Sequence, residues 1–261
     1  MTMDIFQKRR RTYTLVLAAV LVVYLVSAWM TEFDLAAGLA SFPEAGQWMA
    51  QKLIPDSEAI ERLPNILEKL AETVLLSVAV TVVAAVCAFF FSLPGSRTTK
   101  SNGAVGRVVR IVAAFFRNVP DVVWAMLLMF SFGQNILTGF FALFFTTFGL
   151  LTRACIETID EVSADCVEAL DATGASFIQT VFQGILPSSI PGLLSWVLYM
   201  IETNIRSSTL IGMLTATGIG YLFDMYYKRL EFGSAGLIVI AMVIVVIGIE
   251  MLSGQIRKVI L

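Results

Sequence analysis

Residues 122–152 read VVWAMLLMFSFGQNILTGFFALFFTTFGLLT, a run of 31 residues without a charged side chain. A helix rises about 1.5 Å per residue and needs about 20 apolar residues to cross about 30 Å of hydrocarbon. The run is therefore too long for one upright crossing and too short for two, and its centre, FGQN at residues 132–135, has the composition of a turn. We expect two helices here, the first of which begins upstream, within residues 108–116, and bends at Pro120.

Further apolar runs lie on both sides of this stretch, at residues 13–30, 73–94, 186–214 and 232–249. The chain is 57% hydrophobic and 15% charged, whereas soluble domains are about 45–50% apolar and about 25% charged. The first run has 18 residues, more than the apolar core of a signal peptide, so we interpret it as a span. The sequence predicts an all-α, multi-pass membrane protein with about six membrane-spanning helices.

The basic residues indicate the orientation of these spans, because cytoplasmic loops carry the excess of Lys and Arg. With both termini in the cytoplasm, eleven basic residues lie inside and five lie outside. The inside set is Lys8, Arg9, Arg10, Arg11, Arg97, Lys100, Arg107, Arg110, Arg153, Arg257 and Lys258, and the outside set is Lys52, Arg62, Lys69, Lys228 and Arg229. We therefore expect an N-in, C-in protein of the cytoplasmic (inner) membrane.

The same topology divides the chain into segments. Residues 1–12 form a cytoplasmic basic segment, residues 13–70 hold the first span and an exterior loop, and residues 71–261 form the main transmembrane domain. In the exterior loop, residues 57–72 have apolar side chains three or four apart, which predicts a short amphipathic helix at the outer surface. Between spans 4 and 5, residues 153–189 form the longest interior loop.

Composition excludes several classes of chemistry. The chain has no histidine, and its three cysteines have neither the spacing of a zinc site nor the even number of a disulfide framework. A net charge of −2 without a basic face argues against a nucleic-acid partner. No phosphate-binding G-x-x-x-x-G-K-[ST] loop occurs. We therefore expect a non-enzymatic chain that binds no metal and no cofactor itself.

The interior loop has the pattern of two short helices. Residues 163–172 suit a helix with Ser163 as its N-cap, and Gly174 offers a left-handed stop. A second helix, from Ser176 to about Gly184, leads into the next span at Pro187. The loop is also strongly acidic, and a long, charged, helical interior loop predicts contact with a partner.

Three motifs carry a resemblance to a known family. Residues 168–174, EALDATG, followed by ILP at residues 185–187, resemble the EAA loop of ABC importer permeases, with Leu170 in place of the usual Ala. Residues 117–125, RNVPDVVWA, and residues 202–212, ETNIRSSTLIG, resemble two segments of phosphonate permeases. The resemblance runs from about residue 72 to the C-terminus.

The resemblance implies a permease that pairs with a second copy or a sister permease. Two copies of a separate ATP-binding subunit would carry the ATP and Mg, and an extracytoplasmic binding protein would deliver the solute. The interior loop would form a coupling helix that docks on the ATP-binding subunit, through Glu168, Ala169, Asp171, Gly174, Ile185 and Pro187. The implied function is ATP-driven import of a small oxyanion, with phosphonate first and phosphite or another small solute as the alternative.

Ionisable residues inside spans are costly and usually face a bundle interior or a water-filled path. Glu202 and Arg206 lie four apart and therefore share a helix face. One hypothesis is that they line the translocation path together with Asn204, Ser208 and Thr209. The other is that they form an ion pair that only neutralises itself, or lie at the outer mouth of the span.

Arg117 and Asp121 raise the same question on a neighbouring span. They are also four apart, and with Pro120 between them we favour a structural hinge over a gating role. Gly218 and Gly220 allow a close backbone turn. The resemblance suggests that this turn belongs to an outer gate, whereas an aromatic belt at the membrane interface accounts equally well for the nearby tyrosines.

Two other classes of function explain less of the sequence. An ATPase-independent channel or secondary carrier that moves protons would need chains of acidic residues or histidine within the spans, and only Glu202 and Asp121 qualify. It would also leave the EAA loop unexplained. A membrane-embedded enzyme would need a nucleophile, a base or a metal constellation, and the sequence offers none.

Overall fold

The structure, a computed structural model, describes residues 5–98, 103–162 and 164–260, and this part of the chain is helical without a β-strand. Its helices are α1 (Ile5–Met30), α2 (Leu35–Ala40), α3 (Phe42–Lys52), α4 (Ser57–Glu61), α5 (Leu63–Ser92), α6 (Gly103–Asn118), α7 (Asp121–Phe132), α8 (Ile136–Val162), α9 (Ala164–Ala172), α10 (Phe177–Gln179), α11 (Leu186–Thr215), α12 (Gly218–Lys228) and α13 (Phe232–Ile260). A 3-10 turn, Leu93–Gly95, ends α5, and a π-helical turn, Thr180–Ile185, joins α10 to α11. The all-α prediction is confirmed.

The number of spans agrees with the prediction of about six. Within the described residues, five helical stretches are long and apolar enough to cross a membrane: α1, α5, α8, α11 with the turn before it, and α13. The pair α6 and α7 makes a sixth when the two are counted as one span.

Residues 1–52 form a unit of their own, of which α1, α2 and α3 are described. The apolar side chains of α1 are exposed in all directions, as Leu17, Val20 and Trp29 show. A helix that is apolar all round suits a lipid environment. Because α1 begins at Ile5, residues 5–12 of the predicted basic segment continue the span as helix.

α6 and α7 meet at an angle of 87°. The backbone of Pro120, between the two helices, is extended. The residue before a proline disfavours the helical conformation, so α6 ends there and α7 begins as a separate helix after Pro120. The predicted bend at Pro120 is confirmed, but it is a right-angle break, and α6 begins at Gly103, upstream of the predicted range. α7 has 12 residues, about 18 Å, and is too short to cross the hydrocarbon alone.

The prediction of a short surface helix at residues 57–72 is wrong. α4 ends at Glu61, and α5 starts at Leu63 and runs for 30 residues into the membrane span. Pro64 does not interrupt α5, because a proline in the first turn of a helix removes no intrahelical hydrogen bond. Ile66 and Leu70 are buried against α12 and α13, so this stretch belongs to the packed bundle.

α8 lies at the centre of residues 53–261, where it packs against α5, α6, α7 and α11. Its crossing with α6 leaves no room for a side chain: a Cβ on Gly149 would lie 2.6 Å from the backbone N of Arg117 and 2.8 Å from the carbonyl O of Ala113. Leu143 and Leu151 of α8 are buried in two apolar clusters with α5 and α11. This bundle positions the ends of α6, α8 and α11, where most of the predicted site residues lie.

Candidate functional site

The predicted helix of the interior loop is present as α9. Its Val167 is buried in an apolar cluster with side chains of the 3-10 turn, α8 and the π-helical turn: Leu93, Ile159, Val181 and Ile185. On the opposite side of α9, Glu168 and Ala169 are exposed. Ser163, the predicted N-cap, lies outside the described residues.

α9 ends at the predicted glycine. Gly174 adopts a φ of +78°, and the backbone N–H of Ala175 donates to the carbonyl of Leu170 at 3.2 Å. This is the left-handed helix stop that glycine favours, so that prediction is confirmed. Ser176 and Gln179 then form a capping box that starts α10. Local hydrogen bonds therefore fix the reversal between α9 and α10.

α10 passes into α11 through the π-helical turn. A Cβ on Gly184 would lie 2.7 Å from Cδ1 of Leu170, so the missing side chain lets α9 close on this turn. Ile185 is fully buried, whereas Pro187 is exposed in the first turn of α11. Of the six predicted coupling residues, Ile185 is buried and the other five are exposed.

Three apolar side chains that the motif did not indicate are exposed just after α9. Phe177, Ile178 and Phe182 are 59%, 69% and 54% exposed. The signal that could have indicated them is an apolar pattern inside a loop predicted to face water. We call the exposed set formed by Glu168, Asp171, Phe177, Ile178 and Phe182 the α9 surface.

Asn204 and Ser208 are buried between three helices and not on an open face, which differs from their predicted placement. The side-chain amide of Asn204 donates to Oγ1 of Thr81 at 2.9 Å and to Oγ1 of Thr147 at 3.0 Å. Oγ of Ser208 lies 3.0 Å from Oγ of Ser77. These hydrogen bonds join α5, α8 and α11 within one chain.

Replacing Asn204 by Val is expected to lower the free energy of unfolding by about 1–2 kcal/mol, because Asn204 donates two hydrogen bonds between helices and each such bond contributes about 0.6 kcal/mol on average and up to about 1.7. A denaturing-detergent titration of the purified protein measures the change. Thr203→Val is the matched control, since the Thr203 hydroxyl bonds the Tyr199 carbonyl of its own helix. Equal losses in the two variants would show that the bonds of Asn204 between helices do not stabilise the fold.

Glu202 pairs with Arg257 of α13 and not with Arg206. Nη2 of Arg257 donates to Oε1 of Glu202 at 3.0 Å, and the two side chains are 33% and 12% exposed. Arg206 is exposed and has no ion-pair partner among the residues that the structure describes. Thr209 is half-buried, with its hydroxyl on the carbonyl of Ile205 at 3.3 Å. The spacing of four residues suggests an ion pair between Glu202 and Arg206 within α11. The observed ion pair instead joins α11 to α13.

Arg117 and Asp121 flank the break at Pro120 without pairing, in the part of the chain that is described. Oδ1 of Asp121 accepts a hydrogen bond from the N–H of Val122 at 2.9 Å, and Arg117 lines a cavity beside α8. The rings of Phe116 and Trp124 stack across the break with centroids 5.6 Å apart. Aromatic packing therefore stabilises the bend between α6 and α7.

Gly218 and Gly220 lie where α12 turns back against α11 and α5. Gly218 has a φ of +59°, and the N–H of Ile219 donates to Oγ1 of Thr73 at 2.9 Å. A Cβ on Gly220 would overlap the carbonyl oxygen of Thr209. The expected close backbone turn is confirmed, and its use as a gate stays a prediction.

A protein-family model described as the binding-protein-dependent transport system inner membrane component matches residues 89–260. The chain belongs to this family. It is accordingly a multi-pass component of the inner membrane. The match includes α6 to α13, and therefore every predicted coupling, path and hinge residue.

Named relatives within the family are permeases. The phosphate-import permease protein PhnE of Mycolicibacterium smegmatis is 30% identical over 188 residues, which cover 72% of this chain and 35% of that protein. The putative phosphite transport system permease protein HtxC of Stutzerimonas stutzeri is 29% identical over 262 residues, 99% of this chain and 90% of that one. The putative cryptic phosphonate transport system permease protein PhnE2 of Escherichia coli is 32% identical over 117 residues, 45% of this chain and 96% of that one.

Solved structures of ABC transporters share the fold. An inward-facing structure of the MetNI methionine ABC transporter has a TM-score of 0.62 at 20% identity, over 76% of this chain and 98% of that chain. A crystal structure of an amino acid ABC transporter with histidines has a TM-score of 0.64 at 15% identity, over 76% of this chain and 95% of that chain. At these identities the likeness concerns the fold alone.

Proposed function

We propose that this chain is the permease subunit of an ATP-driven importer of a small phosphorus oxyanion. The observation that carries the proposal is the α9 surface, an exposed set of acidic side chains on α9 and apolar side chains on α10 and the π-helical turn, in a chain with the fold of ABC transporter structures. A separate ATP-binding subunit, in two copies, would bind ATP and Mg and hydrolyse the ATP. An extracytoplasmic binding protein would supply the solute.

The α9 surface fits a protein partner better than water or lipid. Phe177 and Ile178 are more than half exposed, and contiguous exposed apolar side chains mark interaction sites. Glu168 and Asp171 on the same surface disfavour the inner leaflet as the partner, because its surface is anionic. We therefore assign this surface to the ATP-binding subunit. That assignment puts α9 and both termini in the cytoplasm.

An uncovered face of α11 suits the translocation path. Tyr199, Arg206 and Leu210 lie on this face at helical spacing and are all exposed. In a dimer, a second copy or a sister permease would lie opposite this face, and the solute would pass between the two chains. Arg206 would then offer a positive charge to an anionic solute, and Glu202 would stay neutralised by Arg257.

The solute class rests on the relatives. Phosphate, phosphite and phosphonate appear in the names of proteins that are 29–32% identical to this chain. All three are small tetrahedral phosphorus oxyanions, a class that arginine recognises well. We propose this class for the present chain, with phosphonate first.

The test is co-purification of the ATP-binding subunit with a tagged permease. Glu168→Arg is expected to reduce the amount of ATPase recovered about tenfold or more, because reversing a charge at the centre of an interface removes a contact and adds a repulsion. Glu61→Arg is the matched control, since it reverses an exposed acid on α4, outside the interior loop. Gel filtration in detergent checks that both variants are folded.

Three outcomes are distinguishable. Loss of the ATPase in Glu168→Arg alone supports the coupling role of α9. Equal recovery of the ATPase with the wild type and with both variants would show that the α9 surface is not part of the interface with the ATP-binding subunit. Recovery of no ATPase with the folded wild type would contradict the importer assignment and favour a channel or carrier that works without an ATPase.

A further inference from the structure

A cavity of about 340 Å³ opens between α6, α8 and the turn that follows α5. Small-molecule sites occupy about 300–1,000 Å³. The ionisable residues that line it are four arginines and two acids: Arg97, Arg110, Arg117, Arg153, Glu157 and Asp160. The cavity therefore carries a formal excess of two positive charges, at the end of α8 from which α9 continues.

Both acids already have partners. Nε of Arg153 donates to Oε1 of Glu157 at 2.7 Å. Oδ1 of Asp160 accepts hydrogen bonds from Oγ of Ser96 at 2.5 Å and from the backbone N–H of Arg97 at 2.8 Å. Glu157 is thus paired with Arg153, whereas the donors on Asp160 are neutral groups, so the formal charge of Asp160 offsets one of the other three guanidinium groups.

The remaining three arginines form no ion pair within the described residues. Arg110 donates from Nε and Nη2 to the carbonyl oxygen of Gly95, at 3.2 and 2.8 Å, which orients the guanidinium without cancelling its charge. The side chains of Arg97 and Arg117 have no hydrogen-bond or ion-pair partner within the described ranges. Three guanidinium groups thus share the cavity with one carboxylate that has no cationic partner among the described residues, Asp160, which leaves the excess of two positive charges at short range, where like charges repel.

We propose that this cavity binds a tetrahedral phosphorus oxyanion, either the phosphate of an anionic lipid headgroup or a soluble phosphate-type anion. The planar fork of arginine matches two oxygens of a phosphate at once, and several such forks can hold one anion. No residue of α11 lines the cavity, whereas the path proposed above runs along α11. The binding of an anion here does not depend on which solute the protein transports.

Both sources of the anion have a physical route to the cavity. Basic pockets between membrane helices near the cytoplasmic surface are suited to phospholipid headgroups. α6 exposes Val108, Ile111 and Phe115, an apolar face along which acyl chains can lie. A soluble anion would reach the same arginines from the cytoplasm. The experiment therefore needs one arm for each source.

The full-length protein is purified in detergent with its co-purifying subunits and depleted of lipid. One arm compares phosphatidylglycerol with phosphatidylcholine by native mass spectrometry, and the other measures inorganic phosphate by equilibrium dialysis. Wild type is expected to bind in one arm, and Arg117→Gln to bind about tenfold more weakly there, because a charge-assisted hydrogen bond is lost. Binding of phosphatidylglycerol assigns the site to a headgroup, and binding of phosphate assigns it to a soluble anion.

Arg107→Gln is the matched control, because Arg107 is an exposed arginine of α6 that does not line the cavity. Arg97→Gln removes a lining charge from a different segment and should reproduce the loss if Arg117→Gln fails to fold. The proposal is overturned if the wild type binds in neither arm, if the cavity variants bind as wild type does, or if Arg107→Gln weakens binding equally.

Discussion

Glu202→Gln is expected to lower the free energy of unfolding by about 2–3 kcal/mol. The change leaves the guanidinium of Arg257, which is only 33% exposed, without its carboxylate. Breaking a buried ion pair costs about 3–5 kcal/mol. We expect a smaller cost for this pair because Arg257 lies in the last turn of α13, where its side chain can reach towards the membrane interface. Denaturing-detergent titrations of the purified protein provide the measurement.

A double-mutant cycle identifies the partner of Glu202. Glu202→Gln, Arg257→Gln and the double variant should show a coupling energy of about 1–2 kcal/mol, because the two side chains contact each other directly. The same cycle with Arg206→Gln should give a coupling close to zero, since Arg206 is exposed on the same helix. A larger coupling to Arg206 than to Arg257 would mean that the pair forms within α11 and that α13 packs differently.

Gly220→Ala is expected to cost about 3 kcal/mol or more and to reduce the yield of folded protein sharply. The new Cβ would overlap the carbonyl oxygen of Thr209 and lie 2.9 Å from the backbone N of Met213. Inserting a methyl group into a packed core costs about 1–3 kcal/mol when side chains can move aside. Here the obstacle is the backbone of α11, so the two helices must separate.

Gly248→Ala is the matched control for this effect. Gly248 lies within α13, and no atom approaches a Cβ placed on it within 4 Å. Its replacement should change the free energy of unfolding by no more than about 0.5 kcal/mol, or stabilise α13 slightly through helix propensity. Thermal unfolding and detergent titration compare the two variants. Similar stability of Gly220→Ala and Gly248→Ala would show that α11 and α12 do not approach as closely as described.

Features that depend on local sequence could be predicted. The apolar runs located all the long spans, because a span needs its own unbroken apolar length. The break at Pro120 and the stop at Gly174 follow from the backbone chemistry of single residues. The helix α9 has residues of good helix propensity and its glycine stop within a dozen residues. Each of these needs no knowledge of the rest of the chain.

Features that depend on the rotation and neighbours of a helix could not be predicted. Glu202 has Arg206 four residues away, yet its partner is Arg257, 55 residues further along the chain. An open path is one of the two hypotheses that the sequence supports for Asn204, because polar residues in spans often line a path, whereas Thr81 and Thr147 bury it. The apolar residues of the outer loop were assigned to a separate surface helix because nothing local shows that α12 and α13 cover Ile66 and Leu70.

Helical backbone continues from Phe177 to Thr215 for 39 residues, through the π-helical turn and past Pro191, over about 58 Å. One end adjoins the α9 surface, and the other carries the tight turn at Gly218. If this stretch tilts as a rigid body by about 10° about its α10 end, Thr215 is displaced by about 10 Å. With the function proposed above, a slight rocking of the docked ATP-binding subunit would therefore be amplified, on the far side of the membrane, into a shift wider than a small anion.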